Sequence, residues 1–305
     1  MTIMRATRVG LIAFASMIPL AAATPASAKT LQVVASFSVL GDVVQQVGGR
    51  HVRVTSLVPP NGDPHQYEPS PTDARDLNEA DVCFISGEGL ERWFEKLAKA
   101  SGYRGTPVIA SNGIELRERT RKGQISDDPH VWNSPINVIV WVSNIENALA
   151  AADPTDADDF KANAARYTTE LHDLDAYAHA HIDPIPPRHR LILTSHDAFG
   201  YLGRDYGVTF LSPLGLSTET EASAGDVARL IDQVKAEHIK LYFIQNSNDP
   251  RLVQQIASAT GARPGGKLYA EALSPPDGPA ATYTQMFRHN IDALVDAMTA
   301  SSATN

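Results

Sequence analysis

The sequence is poor in cysteine and in positive charge. Its single cysteine, Cys83, cannot form an internal disulfide, and it lies in the apolar run Asp81-Val82-Cys83-Phe84-Ile85, where a thiol is usually an inert core group. The 26 Lys and Arg residues are outnumbered by 35 Asp and Glu residues, which gives a net charge of −9. This acidic balance disfavours binding to nucleic acid and is compatible with a cationic ligand.

Long apolar runs are also lacking, except near the N-terminus. Arg5 and Arg8 precede the apolar stretch Val9–Ala23, and Ala26-Ser27-Ala28 is a small-residue cleavage pattern. A proline interrupts the stretch, whereas a membrane anchor needs about 20 unbroken apolar residues. We therefore expect residues 1–28 to be a signal peptide cleaved near Ala28. Removing its two arginines takes the net charge from −9 to −11. The bacterial periplasm is the expected location, without a lipid anchor because no cysteine lies near the cut.

Strand-like and helix-like segments alternate along the remaining chain, a pattern typical of parallel sheets with crossover helices. About 275 residues favour two lobes over one. The predicted strands are Leu31–Ser36, Arg53–Val58, Asp81–Ile85, Pro107–Ala110, Arg190–Thr194, Val208–Leu211, Lys240–Ile244 and Lys267–Ala270. The predicted helices are Ser38–Val47, Thr72–Asn78, Gly89–Ala100, Ile136–Ala151, Ala198–Tyr206, Ala224–Glu237, Pro250–Thr260 and Ala280–Ala300. The fold class is thus α/β with an N-terminal lobe at 29–152, a C-terminal lobe at 185–300 and a tail at 301–305.

One long helix is predicted to join the lobes across residues 153–184. Asp153 is a good N-cap with Pro154 at the first helical position, and Pro184 ends the run. A helix of about 28 residues is roughly 40 Å long, enough to span both lobes and to restrict hinge motion. Its apolar face repeats at steps of 4, 3, 4, 3 and 4. That face consists of Phe160, Ala164, Tyr167, Leu171, Leu174 and Ala178.

Three histidines lie in turn-like segments where a scaffold presents functional groups. They are found in Asp63-Pro64-His65, Asp128-Pro129-His130 and Thr194-Ser195-His196. His65 and His196 follow predicted strands, and ligands bind at the carboxyl ends of strands in open parallel sheets. His130 must reach that crevice from the side. Three converging neutral imidazoles are a zinc-type ligand set that lacks one member.

The missing fourth ligand should be anionic, because neutral imidazoles do not balance a dication. Glu271 follows the predicted strand Lys267–Ala270, and we expect it to complete the metal site. Asp277 is the reserve candidate, and Asp249 is a weaker one. Asp63 and Asp128 either accept hydrogen bonds from the histidine rings or merely form turns.

Four motifs occur in order along the chain: Gly62-Asp63-Pro64-His65-Gln66-Tyr67-Glu68-Pro69, Ala80-Asp81-Val82 through Gly87-Glu88-Gly89-Leu90-Glu91-Arg92-Trp93, Asp128-Pro129-His130-Val131-Trp132 and Ser195-His196-Asp197-Ala198-Phe199-Gly200-Tyr201-Leu202. Taken together, they resemble the TroA/ZnuA-like substrate-binding proteins of bacterial zinc and manganese ABC importers. The resemblance implies two α/β lobes joined by a rigid helix, with one metal between them and His65, His130 and His196 as ligands.

The chain departs from that family in three places. Glu271 stands where the family usually has Asp, and Gln245 stands where relatives often have Glu. The segment Glu115–Asp128 is short and basic and contains no histidine, whereas zinc-specific members often have a long His-rich loop there. This pattern looks most like the AztC-type branch, which works with a separate zinc chaperone. The basic segment is either a docking surface or a solvated loop.

Three imidazoles and one carboxylate suit tetrahedral Zn²⁺, whereas Mn²⁺ prefers more oxygen ligands. We therefore expect a monomeric periplasmic protein that captures Zn²⁺ and delivers it to an ABC permease, with Mn²⁺ as the alternative cargo. Enzymatic activity is not expected. The alternative function from a different class is that of a secreted zinc hydrolase, with Glu68 or Glu219 as its general base.

Overall fold

The computed structural model of the protein describes residues 30–121 and 123–302. The predicted signal peptide, residues 1–28, lies outside them, so it stays a prediction. No helix in these two ranges is both long enough and apolar enough to cross a bilayer.

The N-terminal half is built on a four-stranded parallel sheet in the order β2-β1-β3-β4. Strand β1 pairs with β2 and β3, so β1 and β3 are the central strands of this sheet. Its elements are β1 (Leu31–Phe37), α1 (Ser38–Gly48), β2 (Val52–Val58), α2 (Pro71–Glu79), β3 (Val82–Ile85), α3 (Phe94–Ser101), β4 (Val108–Ile109), β5 (Glu118–Arg121), β6 (Gln124–Asp127) and α4 (Pro135–Ala152).

The C-terminal half holds a second parallel sheet, in the order β10-β9-β7-β8. Both sheets have helical crossovers, so the predicted α/β class with two parallel sheets is confirmed. The remaining elements are α5 (Ala157–Ile182), β7 (Leu191–Leu193), α6 (Gly200–Tyr206), β8 (Thr209–Leu211), α7 (Ala224–Ala236), β9 (Leu241–Gln245), α8 (Arg251–Thr260), β10 (Arg263–Leu268) and α9 (Tyr283–Ser302).

The linking helix α5 begins later than predicted. Asp153 ends α4 instead of capping α5, because its backbone N–H donates to Leu149. The Asp153 side chain then accepts from the backbone N–H of Thr155, so residues 153–156 form a turn before Ala157. The 26 residues of α5 correspond to about 39 Å. The predicted apolar face of this helix is buried throughout.

A single apolar core runs through both halves of the molecule. Helix α5 packs against α1, α4 and α9 and so touches elements from each half. The aromatic rings of Phe37 and Trp132 meet edge to face at 4.8 Å, beside the buried Trp141. Cys83, a residue of β3, is fully buried in a smaller apolar cluster, and burial raises the pKa of its thiol, as expected for an inert core group.

Several local predictions were wrong. Within residues 115–128, where no strand was predicted, strands β5 and β6 form an antiparallel hairpin. Strand β10 ends at Leu268, earlier than the predicted Ala270, and it includes Pro264, Gly265 and Gly266. The tail prediction fails at Ser301 and Ser302, which belong to α9.

Candidate metal centre

The structure brings His65, His130, His196 and Glu271 together in one buried cluster between the two sheets. One donor atom from each side chain lies within 4.8 Å of the other three. His130, His196 and Glu271 are fully buried, and His65 is 5% exposed. These are the four residues predicted as ligands.

The donor atoms face one another at short range. Nε2 of His130 lies 3.2 Å from Nε2 of His65 and 3.2 Å from Nε2 of His196. Oε1 of Glu271 lies 2.8 Å from Nε2 of His65, 3.3 Å from that of His130 and 3.5 Å from that of His196. Since imidazole nitrogens do not attract one another when both lack a proton, this packing calls for either a shared proton or a cation at the centre.

His65 is positioned by the turn that follows β2. The Asp63 carboxylate accepts from the backbone N–H of His65 at 2.8 Å. The indole N–H of Trp93 donates to the carbonyl of Pro64 at 2.8 Å and fixes the chain just before the histidine. Asp63 also accepts from the Thr218 hydroxyl at 2.7 Å, which joins this turn to the C-terminal half. Asp63 therefore forms a turn, and its contacts with His65 are made through the backbone.

His130 is positioned by a carboxylate that contacts its ring. Oδ1 of Asp128 accepts from the His130 backbone N–H at 3.1 Å and from its Nδ1–H at 2.8 Å. The other oxygen of Asp128 pairs with Arg117 at 2.9 Å. Asp128 thus fills both roles that the sequence left open: it forms the turn and fixes the ring with Nε2 facing the cluster.

The residues just after His130 tie its segment to the C-terminal half. The indole N–H of Trp132 donates to the carbonyl of Ala270 at 2.7 Å, directly before Glu271. The Asn133 amide donates to the carbonyl of Ala198 at 3.0 Å, just after His196. These contacts explain how a histidine outside both sheets reaches the crevice.

His196 follows β7 and is held by Gln245 at the end of the neighbouring strand β9. The Gln245 amide nitrogen donates to the His196 carbonyl at 3.2 Å, so its oxygen faces the histidine N–H groups. That oxygen accepts from the His196 backbone N–H at 2.9 Å and from Nδ1–H at 3.3 Å. The proton therefore resides on Nδ1, and the lone pair of Nε2 is free to bind a cation.

Glu271 follows β10, and its two oxygens have different neighbours. Oε1 faces the three imidazoles, whereas Oε2 accepts from the Ser247 hydroxyl at 3.0 Å. The Asn246 amide donates to the carbonyl of Ala272 at 3.1 Å, which ties the segment after β9 to the segment that carries the carboxylate.

The pKa values of three residues in the cluster are shifted from their usual values. Burial lowers the pKa of His130, but hydrogen bonds to Asp128 and Glu271 outweigh it and raise the pKa to about 9. Burial lowers the pKa of His196 to about 4, helped by the neighbouring His130 and His65. Burial raises the pKa of Glu271, but the histidines outweigh it and hold that pKa well below its usual value. The carboxylate is therefore charged at neutral pH.

The other candidates do not join the cluster. Asp277 is exposed in the loop after Glu271. Asp249 is exposed as well, and its carboxylate accepts hydrogen bonds from the Arg251 guanidinium. Of the two suggested general bases, Glu68 is exposed and Glu219 pairs with Arg92 at 3.3 Å.

The sequence did not reveal the roles of Gln245 and Ser247. Gln245 was noted only as a missing carboxylate, and Ser247 carried no signal. Each acts on a residue far along the chain, 49 positions away for His196 and 24 for Glu271. Their placement at the carboxyl end of β9 was the one available hint, because strand ends line the crevice.

The donor set fits a divalent transition metal. Three imidazole nitrogens and one carboxylate oxygen converge, each from a side chain with buried supporting contacts. Imidazole suits zinc, iron, copper and nickel, and a carboxylate adds the charge that a dication needs.

Comparisons with known proteins agree with this geometry. The model of the periplasmic zinc-uptake complex component A family, ZnuA, matches residues 33–297. The manganese-binding lipoprotein MntA of Bacillus subtilis is 34% identical over 276 residues, which cover 88% of this chain and 90% of MntA. The iron-binding protein YfeA of Yersinia pestis is 30% identical over 288 residues, which cover 93% of each.

Among solved structures, the periplasmic zinc-binding protein TroA of Treponema pallidum superposes with a TM-score of 0.82 at 28% identity. The match covers 88% of this chain and 99% of TroA. Fold, cluster and sequence therefore lead to one conclusion: the chain belongs to the ZnuA/TroA family of periplasmic metal-binding proteins that serve ABC importers.

Proposed function

We propose that the chain captures Zn²⁺ in the periplasm and delivers it to the permease of an ABC importer. The observation that supports this proposal is the convergence of His65, His130, His196 and Glu271, four buried donors presented by both halves of the molecule. Cargo bound there bridges the two halves, so the surface around the cleft can present a loaded protein to the permease.

Zinc is favoured by the number and type of donors. Two ligands of a tetrahedral zinc ion with bonds of 2.0–2.1 Å lie about 3.3 Å apart. Five of the six donor separations in the cluster are 2.8–3.5 Å, close to that spacing. Four protein donors also complete a tetrahedral set without water.

Mn²⁺ is the second candidate, because MntA of Bacillus subtilis is named as a manganese-binding lipoprotein. Manganese favours carboxylate, carbonyl and water oxygens. This cluster offers one carboxylate against three imidazoles, and Gln245 holds His196 instead of offering a second carboxylate. The donor chemistry therefore supports zinc over manganese.

The test is metal analysis of protein purified from the periplasm, followed by competition between zinc and manganese. We expect one zinc ion per chain and displacement of bound manganese by equimolar zinc. His130→Ala should lose the metal, whereas the exposed His172→Ala should keep it. A protein that carries manganese and retains it against excess zinc contradicts the proposed cargo.

A role in transport fits the cluster better than hydrolysis does. A catalytic zinc site keeps one position open for water, whereas four protein donors converge here, and Glu68 and Glu219 lie outside the cluster. We expect no metal-dependent turnover of generic ester substrates. Turnover that disappears on chelation and returns with zinc would support the hydrolase instead.

Delivery requires that the permease disturb at least one ligand, because a site of nanomolar affinity represents about −12 kcal/mol. We propose Glu271 as the ligand that moves, since it is carried by the segment that leads into the exposed loop around Asp277. A monomeric state, a separate zinc chaperone, a docking role for the basic segment and the AztC-type assignment remain predictions.

A further inference from the structure

The two oxygens of Glu271 are not equivalent, and the difference comes from Ser247. Oε1 lies 2.8–3.5 Å from the three imidazole nitrogens. Oε2 accepts a hydrogen bond from the Ser247 hydroxyl at 3.0 Å. In this orientation Oε1 is the oxygen within 3.5 Å of all three imidazole nitrogens, and Oε2 is held by the serine.

We propose that Ser247 determines metal selectivity by holding Glu271 monodentate, which limits the site to four donors. This inference rests on the proposed function, since it concerns the choice between zinc and manganese at the same site. A four-donor set suits zinc, whereas manganese gains from additional oxygen ligands. Ser247 is thus a positioning residue that acts on the ion through Glu271.

The Ser247 hydroxyl is fixed relative to the carboxylate by the neighbouring backbone. The Asn246 backbone N–H donates to the carbonyl of Leu268 at 3.1 Å, and its side-chain amide donates to the carbonyl of Ala272 at 3.1 Å. These two bonds flank the segment that carries Glu271. Rotation of the carboxylate toward the ion therefore breaks the Ser247 bond, because the serine cannot follow it.

Breaking that bond is unfavourable because Glu271 is fully buried. The bidentate orientation gives up this buried hydrogen bond and leaves the Ser247 hydroxyl without its acceptor, which opposes the gain from a second contact between the carboxylate and the ion. Ser247 also lines a cavity of about 680 Å³ together with Asp63 and Thr218. Without the hydroxyl, this cavity leaves room for the carboxylate to rotate or for water to approach.

The experiment compares the full mature protein with Ser247→Ala and with Ser247→Thr, which keeps a hydroxyl. Co²⁺ serves as the spectroscopic probe, because its visible absorption is several-fold stronger in four-coordinate than in higher-coordinate sites. We expect an intense four-coordinate spectrum for the wild type and Ser247→Thr, and a weak spectrum for Ser247→Ala. Competition calorimetry should show the affinity for Mn²⁺ relative to Zn²⁺ rising about tenfold in Ser247→Ala only.

The inference would be overturned if Ser247→Ala gave an intense Co²⁺ spectrum and kept the wild-type ratio of zinc affinity to manganese affinity. That result is expected if a water molecule takes the place of the hydroxyl. Should Ser247→Ala not fold, Ser247→Gly provides the same comparison, because it also lacks the hydroxyl and adds no metal ligand. Failure of the proposed function is distinguishable, since it would appear in the wild type as the absence of zinc binding.

Discussion

Zinc binding at neutral pH is expected to release about one proton, because the empty site holds His130 in its charged form. The ring donates from Nδ1 to Asp128 at 2.8 Å, while Nε2 faces the Glu271 carboxylate at 3.3 Å. These contacts raise the pKa of His130 to about 9. A metal takes the lone pair of Nε2, so the proton there must leave.

The pKa of His130 determines how strongly the apparent zinc affinity depends on pH. At pH 7 the group lies two pH units below its pKa, so displacing the proton costs about 3 kcal/mol, or roughly a hundredfold in apparent affinity. Because zinc must displace a proton from the empty site, apparent zinc affinity increases with pH. It should rise about tenfold per pH unit from pH 7 to pH 9 and level off above that.

The assay is titration calorimetry at pH 7.5 in two buffers that differ in ionisation enthalpy, which yields the number of protons released. We expect about one for the wild type. Asp128→Asn removes the carboxylate that raises the pKa of His130, so the number should fall toward zero. Asp127→Asn, a neighbouring exposed position, is the matched control and should behave as the wild type.

Two results would refute this reasoning. A wild-type protein that binds zinc without releasing a proton at pH 7.5 would mean that His130 is neutral in the empty site. Equal proton release from Asp128→Asn and Asp127→Asn would mean that Asp128 does not control the His130 ring.

His196→Ala should weaken zinc binding by more than about a hundredfold, since it removes a ligand and not merely its support; calorimetry beside the exposed His172→Ala checks this, and unchanged affinity would exclude His196 from the site. His196 should contribute a loss of about 3 kcal/mol to the unfolding free energy of the metal-free protein between pH 6.5 and pH 4. Burial lowers the pKa of His196 to about 4, so in this window the ring takes up a proton in the unfolded chain before it does so in the folded one. Urea titrations should show this contribution as the difference between the wild type and His196→Gln, because the other titrating groups are common to both. Hydrogen exchange across residues 270–278 should slow on zinc loading, because the ion immobilises Glu271, and identical exchange in both forms would argue against this ligand as the movable one.

The convergence of the four candidate ligands was predictable because local features mark each of them. Pro64 and Pro129 fix the chain before two of the histidines, and His196 and Glu271 follow strands of parallel sheets. These features involve residues that are close together in the sequence, so they can be recognised from a single sequence. The supporting contacts from Gln245 cross between strands, and nothing in the local pattern identifies them.

The errors in the fold have similar causes. The β5–β6 hairpin carries charged residues such as Glu118 and Arg119 where a strand pattern would show apolar alternation, and its Ile125 is 65% exposed. In β10, Pro264 and two glycines argue against a strand, but β10 is an edge strand, where proline is tolerated. A side chain at Gly265 would lie 2.3 Å from the Phe243 ring, so packing demands the glycine that local propensity disfavours.

The continuous core that joins the two sheets has a consequence for how empty and loaded protein bind the transporter. Because α5 packs against helices of both halves, we expect the outline of the molecule to change little with occupancy. Empty and filled copies then compete for the same transporter, and the import rate depends on the ratio of the two populations, not on the filled one alone. A cell that overproduces this protein while starved of its ion would slow its own uptake.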